Sequence, residues 1–428
     1  MYHPILRRGA QRQLKKIGKA DLVIGLPSYK NAQVAANVAR VALDGAHRFH
    51  PELRTVLINA DAGYRATTRQ AISRQASENG HSSLVVSGRY QGQLGQGSAV
   101  AALLDASLAL DAKATIILDS HTTTITPNWV AGLAHLILEN KADLVMPRYR
   151  QWPLPNGLLS DLITYPLFRA MWGYNVRRPA APDLALSPQL AVSLLDEDVW
   201  GTAVAAFGLS PWLVAYSAVN GWRVAQTALG EKYTESLPEY QPPAPNGQTQ
   251  FAACFQDVVT VLFSLAHRYK SYWKKANRIY SLPTLTAFAT APNPIPEPEQ
   301  NVSDLLDQLA LGWIEYRLLW KQVLAPENLA QVEALAALPP DRFYFPADLW
   351  AKIIYDFVVV FNKGEADPAQ IVRSLLPLYQ GRLAAFGQEV AGLAPVGREG
   401  TVAAQAVEFE ENRAYLKKRW QTYRSSAQ

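Results

Sequence analysis

A-T-I-I-L-D-S-H-T-T-T-I-T-P-N-W, residues 114–129, joins a short apolar run to a set of polar, ligand-type side chains. The run, 115–118, is bounded by polar residues and has the length of a buried strand. Such a strand delivers Asp119 and His121 to its C-terminal end. In an open α/β sheet that end faces the crevice where ligands bind.

The flanking sequence repeats the pattern. Apolar runs at 21–26, 56–59, 83–87 and 143–147 read as further strands. Between them lie segments of helical spacing at 33–43, 67–79 and 98–109. Strand and helix alternate at βαβ spacing, which predicts an α/β domain with a largely parallel sheet. Residues 222–229, W-R-V-A-Q-T-A-L, alternate like one more strand. After 235 the composition changes. Residues 236–248 hold four prolines and read as a linker or lid, 251–275 as a long helix, and 283–298 as a second proline-rich connection. From 302 onward five helical segments follow. The expected organisation is a basic tail at 1–20, an α/β domain at 21–235, a linker with one long helix at 236–300, and a helical domain at 301–428.

Charge is uneven. The net charge is +5, yet residues 1–20 carry six basic residues and no acid, and five basic residues follow Glu411 with no acid after it. The body is therefore net acidic, which disfavours a nucleic-acid-binding face. Both ends read as solvated or subunit-packing segments. A single cysteine, Cys254, excludes an intrachain disulfide, and the basic start is followed by no secretory apolar core, so the expected compartment is the cytoplasm. No stretch has the ~18 apolar residues of a membrane span; residues 158–174 come nearest and are interrupted by Asp161, Pro166 and Arg169.

Several stretches together resemble the GT-A-fold glycosyltransferases of the mannosylglycerate synthase and glucosyl-3-phosphoglycerate synthase group. They are I-G-L-P-S-Y-K-N-A (24–32), L-G-Q-G-S-A-V-A-A-L (94–103), the central L-D-S-H with I-T-P-N-W, R-R-P-A-A-P-D-L-A-L-S (177–187), G-W-R-V-A-Q-T-A-L-G-E-K (221–232) and F-Y-F-P-A-D-L-W-A-K-I-I-Y-D-F (343–357). The resemblance implies a Rossmann-like GT-A domain followed by an all-helical domain. It implies transfer of a sugar from a nucleotide-sugar donor to a small anionic, glycerate-like acceptor, with Mn²⁺ or Mg²⁺ on the donor diphosphate.

Carried over residue by residue, the resemblance places Pro27, Ser28 and Tyr29 against the nucleoside and Asp61 on the base or ribose. Gly95, Gln96 and Gly97 open a helix whose N–H groups would meet phosphate, though the family's lysine there is Gln96. Asp119 and His121 stand where the family holds its cation with two aspartates. Thr234 stands where the family has a third, histidine ligand. Asp183 takes the place of an acid facing donor sugar or acceptor, and Ser210 that of an aspartate serving the acceptor or catalysis. Lys30, Arg148, Arg150, Arg177 and Arg178 are the cations available to an anionic acceptor or diphosphate. Plainer readings stand beside these: turn residues for 27–29 and Asp61, a plain turn at Gly95–Gly97, a helix N-cap for Asp183, surface charge for the arginines. Two functions follow, a glycosyltransferase with an altered metal site or a catalytically inactive GT-A-like protein serving nucleotide binding or assembly. The apolar faces of the helical domain allow self-association.

Overall fold

The computed structural model describes residues 3–78, 84–152, 155–234, 249–291 and 301–424, with Glu78 and Asn156 described by their backbone alone. The first elements are α1 (Arg8–Ile17), β1 (Leu22–Ser28), α2 (Ala32–Phe49), β2 (Thr55–Asp61), α3 (Thr67–Glu78), β3 (Val85–Arg89), α4 (Gln96–Ala109), β4 (Ala114–Ile117), α5 (Asn128–Leu138) and β5 (Leu144–Tyr149). Then come α6 (Pro155–Leu159), α7 (Tyr165–Trp172), β6 (Leu184–Leu186), α8 (Pro188–Leu195), α9 (Leu209–Val219), β7 (Val224–Leu229), α10 (Gln250–Arg268), α11 (Lys270–Trp273) and β8 (Thr284–Leu285). The chain ends in α12 (Val302–Val323), α13 (Pro326–Ala336), α14 (Ala347–Lys363), α15 (Pro368–Val390), α16 (Pro395–Glu411) and α17 (Arg413–Thr422). This is the expected class, an α/β sheet with a Rossmann-like core and a helical C-terminal region.

Contacts divide the chain into two compact units. One takes in the described residues of 1–154, 176–253 and 282–296, the other those of 155–175, 254–281 and 297–428. The division therefore runs differently from a single cut at 235. Residues 155–175 count with the helices, and 282–291 return to the sheet. Residues 236–248, read as a linker or lid, lie outside the described residues.

The first unit is built on one sheet of order β3-β2-β1-β4-β6-β5-β7-β8. Every pairing is parallel except those of β6, which runs antiparallel to both β4 and β5. Strands β2 and β4 are buried along their whole length and β1 along nearly all of it, as expected of parallel strands covered on both faces. The apolar runs that identify them carry no alternation for the same reason. The antiparallel β6 has a consequence for chemistry: the residue that enters it, Asp183, lies at the same sheet edge as the residues that leave β4, β5 and β7.

The N-terminal segment corrects the expectation of a solvated tail. Leu6 bridges Tyr90, the Arg7 N–H donates to the Arg89 carbonyl at 2.8 Å, and α1 buries Ala10 and Leu14 beside β3. Arg8, Arg12, Lys15 and Lys16 sit on its outer face. The segment thereby covers the β3 edge, which would otherwise expose unpaired backbone groups. The basic C-terminus is likewise helical, with Leu416 and Trp420 buried on α17.

The second unit is helical. Its core includes Trp350, Ile354, Phe357, Tyr379 and Phe409, all essentially inaccessible. Gly312 on α12 faces Pro377 inside α15, and a Cβ at 312 would run into the proline ring, so the close α12–α15 approach requires glycine there. A five-residue π-helix, Ser160–Thr164, separates α6 from α7. The Asp161 carbonyl accepts from Gln405 Nε2 at 2.9 Å and the Leu162 carbonyl from Trp350 Nε1 at 2.8 Å. A π-turn displaces carbonyls from the regular ladder, and side-chain donors collect them here. Among the described residues no helix is long and apolar enough to cross a membrane.

Candidate functional site

Four strand ends meet at one point. Asp119 follows β4, Asp183 precedes the antiparallel β6, Tyr149 ends β5, and Lys232 follows β7 by three residues. The Asp119 N–H donates to Asp183 Oδ1 at 2.7 Å. Lys232 Nζ lies 2.9 Å from Asp119 Oδ2, 2.7 Å from Asp183 Oδ2 and 2.6 Å from Thr122 Oγ1. The Tyr149 hydroxyl also donates to Asp183 Oδ2. An ammonium has three protons, and three oxygens of the chain surround this one.

Lys232 is completely buried. It is held there by backbone pairing, since its N–H donates to the Gln151 carbonyl at 2.8 Å and its neighbours run against the threonine stretch. Thr122 bridges Thr234, the Thr123 N–H donates to the Tyr233 carbonyl, and Thr124 Oγ1 donates to the Glu231 carbonyl at 2.8 Å. The three threonines thus dock the segment after β7. Beside it, Arg150 pairs with buried Glu231 at 2.6 Å and donates to the Thr290 carbonyl.

Burial by itself would raise the Asp119 carboxyl. The Lys232 ammonium, together with the His121 ring and N–H, outweighs it and holds Asp119 well below the usual carboxylate range. For Lys232 burial favours the neutral amine, and the two carboxylates reverse that, so its affinity for a proton is raised. Burial and the Asp183 charge push the Tyr149 phenol well above its usual value. The cluster therefore sets the Asp119 carboxylate against the Lys232 ammonium, with a neutral phenol beside them.

A divalent cation does not fit this arrangement. His121 Nδ1 lies 3.2 Å from Asp119 Oδ1, so that nitrogen is taken up by the carboxylate, while the buried His121 Nε2 has no hydrogen-bond partner. The other oxygen of Asp119 is on Lys232. Thr234, in the place of the third ligand, pairs its backbone with Thr122 and carries no imidazole. Among the described residues no group of three or more His, Cys, Asp or Glu side chains is placed to hold a metal ion. The charge partner of Asp119, the first residue of the expected Asp119–His121 pair, is a lysine.

The turns of β1 and β2 lie on the same edge. Asn59 Nδ2 donates to Ser28 Oγ at 2.7 Å, and Ser28 Oγ reaches Asp61 Oδ1 at 3.4 Å. Asp61 is buried, accepts from the Gly63 N–H at 3.0 Å and is ion-paired with Arg69. Burial raises the Asp61 carboxyl despite that arginine. The acid expected to meet a base or ribose thus already has a partner in this chain. Pro27 lends its carbonyl to Ser120 Oγ at 2.6 Å, while the next residues, Tyr29 and Lys30, remain outside the strand, with Lys30 Nζ 5.1 Å from the Tyr29 ring centre. Asn31 Nδ2 bonds both Ser120 Oγ and its carbonyl, which ties the β1 turn to the β4 turn.

Replacing Arg69 by methionine leaves Asp61 buried without its cation, a loss of about 3–5 kcal/mol when the carboxyl is ionised. A raised folded-state pKa means stability present below the unfolded value and lost as pH rises through the folded one. The deficit of Arg69→Met relative to the parent is therefore expected to be small near pH 4 and to grow toward pH 8. Urea melts across that range check it; a deficit independent of pH would contradict the buried-charge account.

Gly95, Gln96 and Gly97 do open α4, but the chain itself occupies the turn. The Gly97 N–H donates to the Ala206 carbonyl at 2.9 Å. A Cβ at Gly97 would run into the Val204 carbonyl oxygen, and one at Gly95 would meet the backbone of Ala205 and Ala206. The glycines admit the backbone of residues 204–206 at close range. Ser210 is buried in the first turn of α9, and none of the described contacts joins it to Asp119 or Asp183. Asp183 is not a helix cap; it enters β6. Of the expected cations, Arg150 is paired, Arg177 and Arg178 are buried, and Lys30 and Arg148 are exposed.

Lys232 was absent from the residues singled out in the sequence. The available signal was a lysine three positions beyond the last long strand, in G-E-K-Y-T, next to an expected acidic site.

No family model and no curated protein sequence matches the chain. Solved structures do. Glucosyl-3-phosphoglycerate synthase from Mycobacterium tuberculosis, in complex with Mn²⁺, UDP and phosphoglyceric acid, is 18% identical over 60% of this chain and 82% of that one, with a TM-score of 0.42. The same enzyme with Mg²⁺ and UDP matches at 16% identity over 62% and 85%, TM-score 0.42. A mycobacterial protein matches at 16% over 62% and 82%, TM-score 0.43. The fold assignment here stands on the chain's own strand order.

Proposed function

We propose that the chain is a GT-A-type glycosyltransferase that takes a nucleotide-sugar donor and a small anionic acceptor at the sheet edge bearing Asp119 and Asp183. The observation that carries this reading is the convergence of Asp119, Asp183, Tyr149 and Lys232 from four strand ends on the ligand-binding edge of an α/β sheet. Buried, strongly perturbed ionisable groups at such an edge mark functional sites more often than chance. The motifs quoted above from 24–32, 114–129 and 221–232 support the donor class. In this reading Asp183 is a positioned carboxylate, fixed by three donors, and catalysis rests on holding donor and acceptor in register.

A second reading, a binding protein that performs no transfer, is favoured by one specific observation. Residues 204–206 fill the glycine turn expected to meet phosphate.

Thermal melts with UDP-, GDP- and ADP-sugars, each with Mn²⁺ or EDTA, separate the readings when combined with a radiolabelled transfer assay to glycerate-type acceptors. A ligand bound at 100 times its Kd stabilises the native state by about 2.7 kcal/mol. The expected result is a rise in Tm with one nucleotide class that survives EDTA, and labelled product. A rise without product would favour the binding protein. No rise at millimolar ligand would remove the transferase reading.

A further inference from the structure

We infer that Lys232 is a resident cation: its ammonium occupies, between Asp119 and Asp183, a hard-oxygen site that would otherwise accept a divalent metal ion. Three observations carry this. Nζ is surrounded by two carboxylate oxygens and one hydroxyl, at 2.9, 2.7 and 2.6 Å. These are the oxygen donors that suit Mg²⁺ or Mn²⁺, with water completing the shell. The ammonium is wholly buried, so neither carboxylate is left for solvent cations to neutralise from that side. The docking of 231–234 on 122–124 makes the lysine part of the backbone frame and not a loose side chain.

One consequence is that ligand binding at this edge needs no divalent ion. A second is that the metal site is latent. Removing the lysine side chain leaves Asp119, Asp183 and Thr122 oxygens around a space of roughly the right chemistry, and an added ion takes the vacated charge. Methionine removes the charge but fills the space, so it leaves no room for the ion. The inference is independent of which sugar or acceptor is used, or whether transfer occurs.

The test uses the full chain and Mn²⁺ alone as the probe. Mn²⁺ binding is read by electron paramagnetic resonance and stability by thermal melting with Mn²⁺ or EDTA. The parent protein is expected to bind no Mn²⁺ at this site and to melt at the same temperature in either. Lys232→Ala is expected to melt on the order of 10 °C lower in EDTA, to bind one Mn²⁺, and to recover at least half of the loss with it. Lys232→Met is expected to lose stability and to recover none. Lys232→Ala that stays destabilised in Mn²⁺, or that melts like the parent in EDTA, overturns the inference. So does Mn²⁺ binding by the parent that Asp119→Asn abolishes. Should Lys232→Ala yield no folded protein, the parent measurement decides: bound Mn²⁺ lost in Asp119→Asn refutes the resident cation, and its absence upholds it. None of these readouts involves a sugar nucleotide, so their failure is distinct from failure of the transferase reading.

Discussion

Lys232→Met is expected to destabilise the α/β unit by about 3–5 kcal/mol, the cost of leaving a buried charge without its partner. Methionine matches the length of the lysine stem, so little of the loss comes from packing. What remains is electrostatic. Asp119 and Asp183 lose the shared cation that lies within 3 Å of both. Adding Asp119→Asn to the variant removes one of the two stranded charges and is expected to recover part of the loss. Urea melts of parent, single and double variants give the comparison, and a loss under about 1 kcal/mol would place the pair among interactions of the surface kind.

The pH dependence has a definite sign. Asp119 is depressed in the folded protein, so its stabilising contribution is present above the unfolded value of about 3.9 and lost only as pH falls through its lower folded value. Lys232 is raised, so its contribution is present below about 10.4 and lost as pH rises through the higher folded value. The parent cluster therefore contributes evenly from about pH 5 to 9. In Lys232→Met the stranded Asp119 carboxyl, still buried, favours protonation, and the deficit is expected to shrink toward pH 4.

Asp356→Ala is the corresponding lesion in the helical unit, with an expected loss also of about 3–5 kcal/mol. Asp356 is inaccessible and lies on α14. Its Oδ2 accepts from the Ala325 N–H at 2.9 Å and Asn328 Nδ2 at 2.7 Å; its Oδ1 accepts from the Tyr415 hydroxyl and Arg419 Nε, both at 2.8 Å. One carboxylate thus joins the start of α13, the middle of α14 and α17. Alanine would strand four donors, each costing about 1–3 kcal/mol if left unpaired and buried. Arg419 is partly accessible and can turn to water, which keeps the total below the sum. Thermal melting checks the loss, and Asp356→Asn, which retains an acceptor, is expected to lose less.

By itself, the sequence determined β1 to β5 and β7 of the α/β unit, the helices between them and the helical run from 302 onward, but neither the three-residue β6, in a stretch that reads as helical or mixed, nor the two-residue β8, in a proline-rich connection. Those assignments rest on periodicity and propensity within windows of ten to twenty residues, and buried parallel strands such as 22–28 and 114–117 declare themselves by continuous apolar character. Asp119 at the end of β4 was legible for the same reason, and Asp183 was singled out from a motif. What lies against them was not. Lys232 is 113 positions from Asp119, and only the antiparallel insertion of β6 between β4 and β5 brings Asp183 beside both. The glycine turn at 95–97 looked open because nothing local indicates that residues 204–206 fold back onto it. The basic N-terminus looked solvated because its charges outnumber the Ala10 and Leu14 that it buries. Short-range pattern specifies elements; which charge neutralises which depends on strand order and register, and these are settled only when the sheet closes over residues far apart in the chain.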